Sequence, residues 1–128
     1  MTYYFAKTLA LPFDAALSRA TAVLKEEGFG IITEIDVTDT LKRKIGVDFR
    51  RYRILGACNP ALAYEALKLE DKVGTMLPCN VIVQEAGPGA TEIAAIDPVA
   101  SMLAIDNPAL KRSAETVQGK LQRVIERL

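Results

Sequence analysis

Two cysteines stand where the predicted secondary structure changes, and a thiol in that position can be a nucleophile, a redox partner or a sulfur carrier. Cys58 lies in Gly56–Pro60, where a strand is predicted to end and a helix to begin, and Cys79 lies in Leu77–Asn80, which opens the next apolar strand. A thiol beside a helix N-terminus experiences the positive end of the helix dipole, which lowers its pKa and raises its reactivity. The alternative is that both thiols are buried apolar filler, the usual role of free cysteine.

Metal binding has little support in the sequence. Structural zinc takes four Cys or His ligands, whereas this chain has two cysteines and no histidine. A site shared across a two-fold dimer would supply four thiolates, and Cu(I) would accept two, but no ligand spacing indicates either. We therefore predict no metal and no cofactor. The lack of histidine also excludes Ser-His and Cys-His nucleophile pairs, and it leaves open whether the protein is an enzyme.

Basic residues in the middle of the chain indicate a different chemistry, the binding of a small anion or metabolite. Lys44 or Arg53 would supply the cation, and the open N–H groups at the start of the helix after Asn59 would supply further donors. Glu34 and Asp36 share one strand face and are candidates to pair with these cations. The alternative is that the basic segment is an ordinary solvated surface.

The composition is that of a globular protein without a strong electrostatic field. The chain has 128 residues, and 16 Lys and Arg balance 16 Asp and Glu. We treat residues 1–128 as a single domain, since this length is sufficient for one core. A neutral chain has no overall attraction for nucleic acid or for an anionic membrane. No apolar run approaches the roughly 20 residues that span a bilayer, and no signal leader is recognised, so we predict a cytoplasmic protein.

The pattern of apolar residues predicts the elements that position these candidates. Strands are predicted over Thr2–Thr8, Phe29–Val37, Val47–Leu55, Cys79–Gln84 and Thr91–Ile96. Helices are predicted to begin near Pro12, Pro60 and Pro108, each with an apolar stripe of helical period. Asn59, Asp97 and Asn107 precede prolines and are predicted helix caps. Thr38–Ile45 is predicted to be a short helical turn or a loop.

Strand pairs joined by short loops and separated by helices are typical of an α+β fold. We predict a two-layer sandwich with a mostly antiparallel sheet and with the helices on one face. The predicted strand Val47–Leu55 carries several arginines, so we expect it at a sheet edge or facing a partner.

Several segments of the chain form a recognisable set: Gly28-Phe29, Glu34–Val37, Leu41-Lys42 with Lys44 nearby, Ile54–Pro60, Leu77–Val81 and Asp97-Pro98. Together they resemble the family called domain of unknown function 302. The likeness covers nearly the whole chain, and the pairing of a Cys-Asn-Pro with a Leu-Pro-Cys-Asn segment is its most specific part. The resemblance implies a small bacterial or archaeal cytoplasmic protein, commonly a dimer, whose topology is similar to the TATA-binding-protein type. It implies no reaction, cofactor or catalytic residue.

The leading hypothesis is a homodimeric module that binds a small ligand or a partner protein. Its candidate site residues are Asp36, Lys44, Cys58, Asn59, Cys79 and Asn80. The first rival is a thiol-dependent redox enzyme or sulfur carrier that uses Cys58 or Cys79. The second rival is a purely structural dimerisation domain, in which the exposed face of the sheet and the last helix form the contact.

Overall fold

A five-stranded sheet forms the centre of the molecule. The computed structural model describes residues 2–128, and no helix within them is long and apolar enough to cross a membrane. The strands are β1 (Tyr4–Leu9), β2 (Gly30–Asp36), β3 (Tyr52–Cys58), β4 (Cys79–Glu85) and β5 (Thr91–Ile96). The helices are α1 (Phe13–Glu26), α2 (Val37–Ile45), α3 (Pro60–Leu69), α4 (Pro98–Ser101) and α5 (Pro108–Arg127), and a 3₁₀ helix spans Asp71–Met76.

Every neighbouring pair of strands is antiparallel, and their order across the sheet is β1-β5-β4-β3-β2. β4 and β5 form a hairpin, and its turn uses positive φ angles of 117° at Gly87 and 68° at Gly89. β3 and β4 are neighbours, which brings the two cysteine-bearing ends together. The predicted α+β fold with an antiparallel sheet and helices on one face is confirmed.

The core lies on one face of the sheet, beneath α1 and α5. Side chains alternate between the two faces along a strand. One set from β3, β4 and β5 is buried under the helices: Leu55, Ala57, Val81, Val83, Ile93 and Ala95. The helices contribute the buried stripes Ala16, Ala20 and Leu24 from α1 and Leu121, Val124 and Ile125 from α5. The opposite face, which carries Ile54 and Ile82, stays partly exposed.

The predicted helix caps are confirmed. Asn59 Oδ1 accepts the N–H of Leu62 at 3.2 Å, and Asn107 Oδ1 accepts the N–H of Leu110 at 3.1 Å. Asp97 Oδ1 accepts the N–H of Val99 at 3.0 Å, and its carboxylate also receives the amide of Gln118 from α5. Each cap satisfies donors that a helix start otherwise leaves open. These three side chains therefore fix where α3, α4 and α5 begin.

The arginine-rich strand differs from its prediction. β3 begins at Tyr52, since the preceding residues form no strand, and it lies between β2 and β4 rather than at an edge. An interior strand tolerates Arg53 because the acids of β2 neutralise it. Arg53 Nη1 lies 2.5 Å from Glu34 Oε1, and Arg53 Nε lies 3.5 Å from Asp36 Oδ2. The predicted pairing of these two acids with a cation is thus confirmed.

α2 is a full helix where a short turn or a loop was predicted. Asp36 caps it by accepting the N–H of Asp39 at 3.0 Å, and Gly46 ends it with a φ of 70°. None of its residues is buried. α2 is therefore a surface excursion between β2 and β3.

Candidate functional site

The two cysteines meet at the end of the sheet where β3 leads into α3. Cys79 lies directly opposite Ala57, so Cys58 is one residue further along the neighbouring strand. β3 ends at Cys58 because Asn59 turns the chain into its capped helix. Both thiols are free and partly buried. The structure thus brings together three of the six predicted site residues, Cys58, Asn59 and Cys79.

An apolar pocket of about 300 Å³ lies at this place, between the end of the sheet, α3 and α5. Its polar lining consists of Cys58, Asn59, Cys79 and Ser113. Its apolar lining consists of Phe29, Ile32, Ala57, Leu62, Ala63, Ala66, Leu67, Leu77, Pro78, Pro98, Met102, Leu110, Ala114 and Val117. All of these lining residues, which belong to the part of the chain that the structure describes, are uncharged. Binding sites for small molecules have this character, an apolar wall with a few polar groups.

α3 forms one wall of the pocket and turns its apolar side toward the cavity. The apolar stripe predicted for this helix to face inward consists of Leu62, Ala63, Ala66, Leu67 and Leu69, and the first four line the pocket. Of these residues only Ala66 is buried, while Leu67 and Leu69 are 42% and 39% exposed. Ala66 packs in a small cluster with Val73 and Leu110 that is separate from the main core. Leu67 therefore faces the open pocket rather than packed protein, and the inward prediction is wrong for Leu69, which is exposed and does not line the pocket.

The thiol of Cys79 is held in its neutral form. Burial is the main cause that raises its pKa from 9.0 to about 11, and repulsion from Cys58 adds to it. A buried thiol loses the hydration that stabilises a thiolate, so the protonated form is favoured. Cys79 therefore has the electrostatics of an inert packing residue rather than of a nucleophile.

The start of α3 offers little to an anion. Asn59 Oδ1 already accepts the N–H of Leu62, and Asn59 O accepts the N–H of Ala63 at 2.9 Å. Pro60, the first helical residue, has no N–H. Among the first four residues of α3, the amide of Ala61 is thus the donor that remains. The positive end of this helix is largely satisfied within the protein.

Two glycines allow the segments around the cysteines to approach each other. A Cβ on Gly56 would lie 2.0 Å from Thr33 Oγ1 and 2.7 Å from Pro78 Cγ, so β2, β3 and the start of β4 meet where only glycine fits. Gly28 has a φ of 90°, and a Cβ there would lie 3.0 Å from Asn59 Nδ2. Glycines in the segments that carry the family resemblance thus have a packing role at this site.

The other three predicted site residues lie elsewhere. Asn80 is on the opposite, open face of the sheet, where it pairs with Gly56. Asp36 pairs with Arg53 at the far end of β3, roughly 17 Å from Cys58 at about 3.3 Å per residue. Lys44 is exposed in the last turn of α2, and no residue of α2 lines the pocket.

The charges near Asp36 form a network of ion pairs. Arg53 contacts both acids of β2, and Arg51 Nη2 lies 2.9 Å from Asp14 Oδ1. The hydrogen bond from Arg51 is the main cause that lowers the pKa of Asp14, and the hydrogen bond to Glu34 raises the pKa of Arg53. Cations that are already paired in this way are poor receptors for a further anion.

Sequence reasoning missed the part of the pocket that α4 and α5 supply. Pro98, Met102, Ser113 and Val117 complete its wall. None of these side chains has chemistry that marks a site, and their helical spacing predicts core packing. Within residues 2–128, no three Cys, Asp or Glu side chains are grouped so that they could hold a metal ion.

The chain is a small α+β protein in which α3 and α5 line an apolar pocket at the end of an antiparallel sheet. The sequence profile of Domain of unknown function DUF302 matches residues 5–128, and the chain belongs to this family. It is similar to the crystal structure of an uncharacterised conserved protein of the family from Bacillus stearothermophilus, with 30% sequence identity and a TM-score of 0.90. The likeness covers 99% of this chain and 98% of that one. Among curated proteins, none matches this chain.

Proposed function

We propose that the chain is a single-domain, cytoplasmic homodimeric module that binds a small molecule in the pocket at Cys58, Asn59 and Cys79. The observation that carries the proposal is the apolar side of α3, which faces a cavity of about 300 Å³ instead of packed side chains. Apolar surface is stabilising when it is removed from water, so this cavity is a place where a ligand gains binding energy. A ligand there would join the main core to the small cluster around Val73.

A pocket-filling variant tests this proposal. Ala63 lines the pocket, whereas Ala61 is exposed on the same helix and does not line it. A metabolite library is screened by thermal shift on the native protein, on Ala63→Leu and on Ala61→Leu as the matched control. A ligand at 100 times its Kd adds about 2.7 kcal/mol, or about 10 °C in Tm for a domain of this size.

The expected result is stabilisation of the native protein and of Ala61→Leu, with little or none for Ala63→Leu. Equal stabilisation of all three proteins would place the ligand outside the pocket. No stabilisation by any member of the library would count against a binding function.

The open face of the sheet supports the dimer. Its middle row is apolar across all five strands, through the cross-strand pairs of Ile35, Ile54, Ile82, Ala94 and Ala6. A polar row lies beside it, in which Gln84 donates to Glu92 at 2.8 Å and accepts from Arg50 at 2.9 Å. An apolar row of this kind can pack on its own copy across a two-fold axis, which is the commonest symmetry of homodimers. With zero net charge, two copies have no net Coulomb repulsion to overcome.

Light scattering with one substitution tests the dimer. Ile82 lies at the centre of the apolar row and Thr8 at the margin of the polar row. We expect the native protein and Thr8→Lys to be dimers at micromolar concentration and Ile82→Lys to be a monomer. A native monomer would refute the homodimer and leave the face for another protein. A dimeric Ile82→Lys would place the contact elsewhere.

The thiol-dependent enzyme or sulfur carrier is the second candidate, and one observation favours it at Cys58. That thiol directly precedes the cap of α3 and lines the pocket. The raised pKa of Cys79 opposes the same role for Cys79. Cys58 alone would then have to carry the chemistry, because a neutral, buried Cys79 is a poor resolving thiol.

A further inference from the structure

The lining of the pocket restricts what it can hold. We infer that its ligand is an uncharged, mainly apolar molecule about the size of two fused rings, bearing a hydrogen-bond acceptor. This inference rests on the proposed function, since it names the ligand class of that same pocket. It excludes the small anion that the basic residues of the sequence suggest.

The charge of the ligand follows from what surrounds it. No residue that lines the pocket carries a charge, so an ion inside would lose its hydration without gaining a counter-charge. The start of α3 is capped by Asn59 and leaves one open amide. The nearest predicted cations do not help, because Arg53 is paired to two acids at the other end of β3 and Lys44 is exposed on α2.

The size of the ligand follows from the volume of the cavity. An apolar cavity of about 150 Å³ holds one benzene ring. The pocket has about 300 Å³, which is twice that volume and corresponds to a bicyclic molecule. A ligand of about 12 non-hydrogen atoms with ordinary efficiency binds with a Kd on the order of 10–100 µM.

The acceptor on the ligand follows from Asn59. Asn59 Oδ1 already accepts the N–H of Leu62 in the cap of α3, whereas its Nδ2 only donates hydrogen bonds and is the donor that it offers to a ligand. Ser113 and the two thiols can donate as well. A neutral carbonyl on the ligand would satisfy one of these donors without introducing a charge.

Three naphthalenes of nearly equal shape test the inference. 2-Acetylnaphthalene is neutral and carries a ketone, 2-naphthoate is its anionic counterpart, and 2-(aminomethyl)naphthalene is cationic. Binding is measured by isothermal titration on the native protein. Two filled variants, Ala63→Leu in α3 and Ser113→Leu in α5, report on the pocket from opposite walls. Their matched controls are Ala61→Leu and Thr116→Leu, which are exposed on the same two helices.

We expect 2-acetylnaphthalene to bind with a Kd on the order of 10–100 µM and both ions to bind at least 100-fold more weakly. Either filled variant should abolish the binding, and neither control should change it more than about threefold. Pocket-dependent binding of an ion as tight as that of the ketone would overturn the inference and leave the proposed function standing. If 2-acetylnaphthalene does not bind in a pocket-dependent way, the inference fails, whereas the proposed function stands or falls separately with the metabolite screen.

Discussion

Alkylation of Cys79 tests whether the two thiols can act together as a redox pair. Because burial raises the pKa of this thiol from 9.0 to about 11, its thiolate fraction at pH 8 falls from about 0.1 to about 0.001. Only the thiolate reacts with iodoacetamide, so native Cys79 should react about 100-fold more slowly than an ordinary thiol. Its rate should then rise tenfold per pH unit up to about pH 11.

The assay is quantitative mass spectrometry of the native protein after timed labelling. Cys58→Ser reports on Cys79 alone, and Cys79→Ser reports on Cys58 alone. Labelling in urea sets the reference rate for each thiol. If the labelling rate of native Cys79 reaches half its maximum at or below pH 9, burial does not hold this thiol neutral. The hypothesis that the two cysteines form a redox pair would then stand again.

The Cys79 thiol should make the free energy of unfolding decrease as the pH rises above 9. Below pH 9 Cys79 is protonated in the folded and the unfolded state, so it adds no pH dependence. Between pH 9 and 11 the unfolded chain releases the proton while the folded chain keeps it. The free energy of unfolding should then fall by about 1.4 kcal/mol per pH unit, or about 3 kcal/mol in all. The difference between native protein and Cys79→Ser in urea titrations isolates this contribution from other groups that titrate there.

Three further predictions concern stability and are checked by urea denaturation. Gly56→Ala should lower the free energy of unfolding by about 1–2 kcal/mol, since overpacking against Thr33 and Pro78 outweighs the backbone entropy that alanine saves. An unchanged urea midpoint would refute the close contact. Gly119→Ala in α5 should gain about 0.5–1 kcal/mol, because a Cβ there meets only an arginine side chain at 3.7 Å; a loss would contradict this. Asn107→Ala should lower the free energy of unfolding by about 1–2 kcal/mol because it removes the cap of α5. Asn107→Asp should keep most of this stability, since a carboxylate can also cap the helix.

Most of the fold could be predicted from the sequence, because the patterns that indicate its strands and helix starts lie within short segments of the chain. Alternating apolar residues marked four of the five strands, and asparagine or aspartate before proline marked the starts of three helices. The start of β3 was misplaced because Val47 and Phe49 alternate with polar residues as a strand would, yet they lack a neighbour to pair with. Its position in the sheet was misjudged because the acids that neutralise Arg53 come from another strand.

The candidate site was only half accessible, for two physical reasons. Cys79 and Asn80 are consecutive in a strand whose side chains alternate between the two faces, and Asn80 lies on the open face while Cys79 lines the pocket. Asp36 lies at the wrong end of the sheet, which depends on the direction in which β2 pairs with β3. The cavity itself leaves no mark in the sequence, because Ala63 and Val117 have the spacing of packed core residues whether or not anything fills the space between them.

The register of the outer strands limits how far strand pairing between chains can extend. β2 is one edge of the sheet, and its pairing shifts between Ile31 and Thr33, while β1, the other edge, pairs without a shift. A distorted edge is a poor template for another strand, whereas a regular one can accept it. Indefinite growth of fibrils needs two edges that both accept a neighbour. Two chains joined through β1 would expose only their distorted edges, so strand pairing between chains would stop at a closed pair even at high concentration.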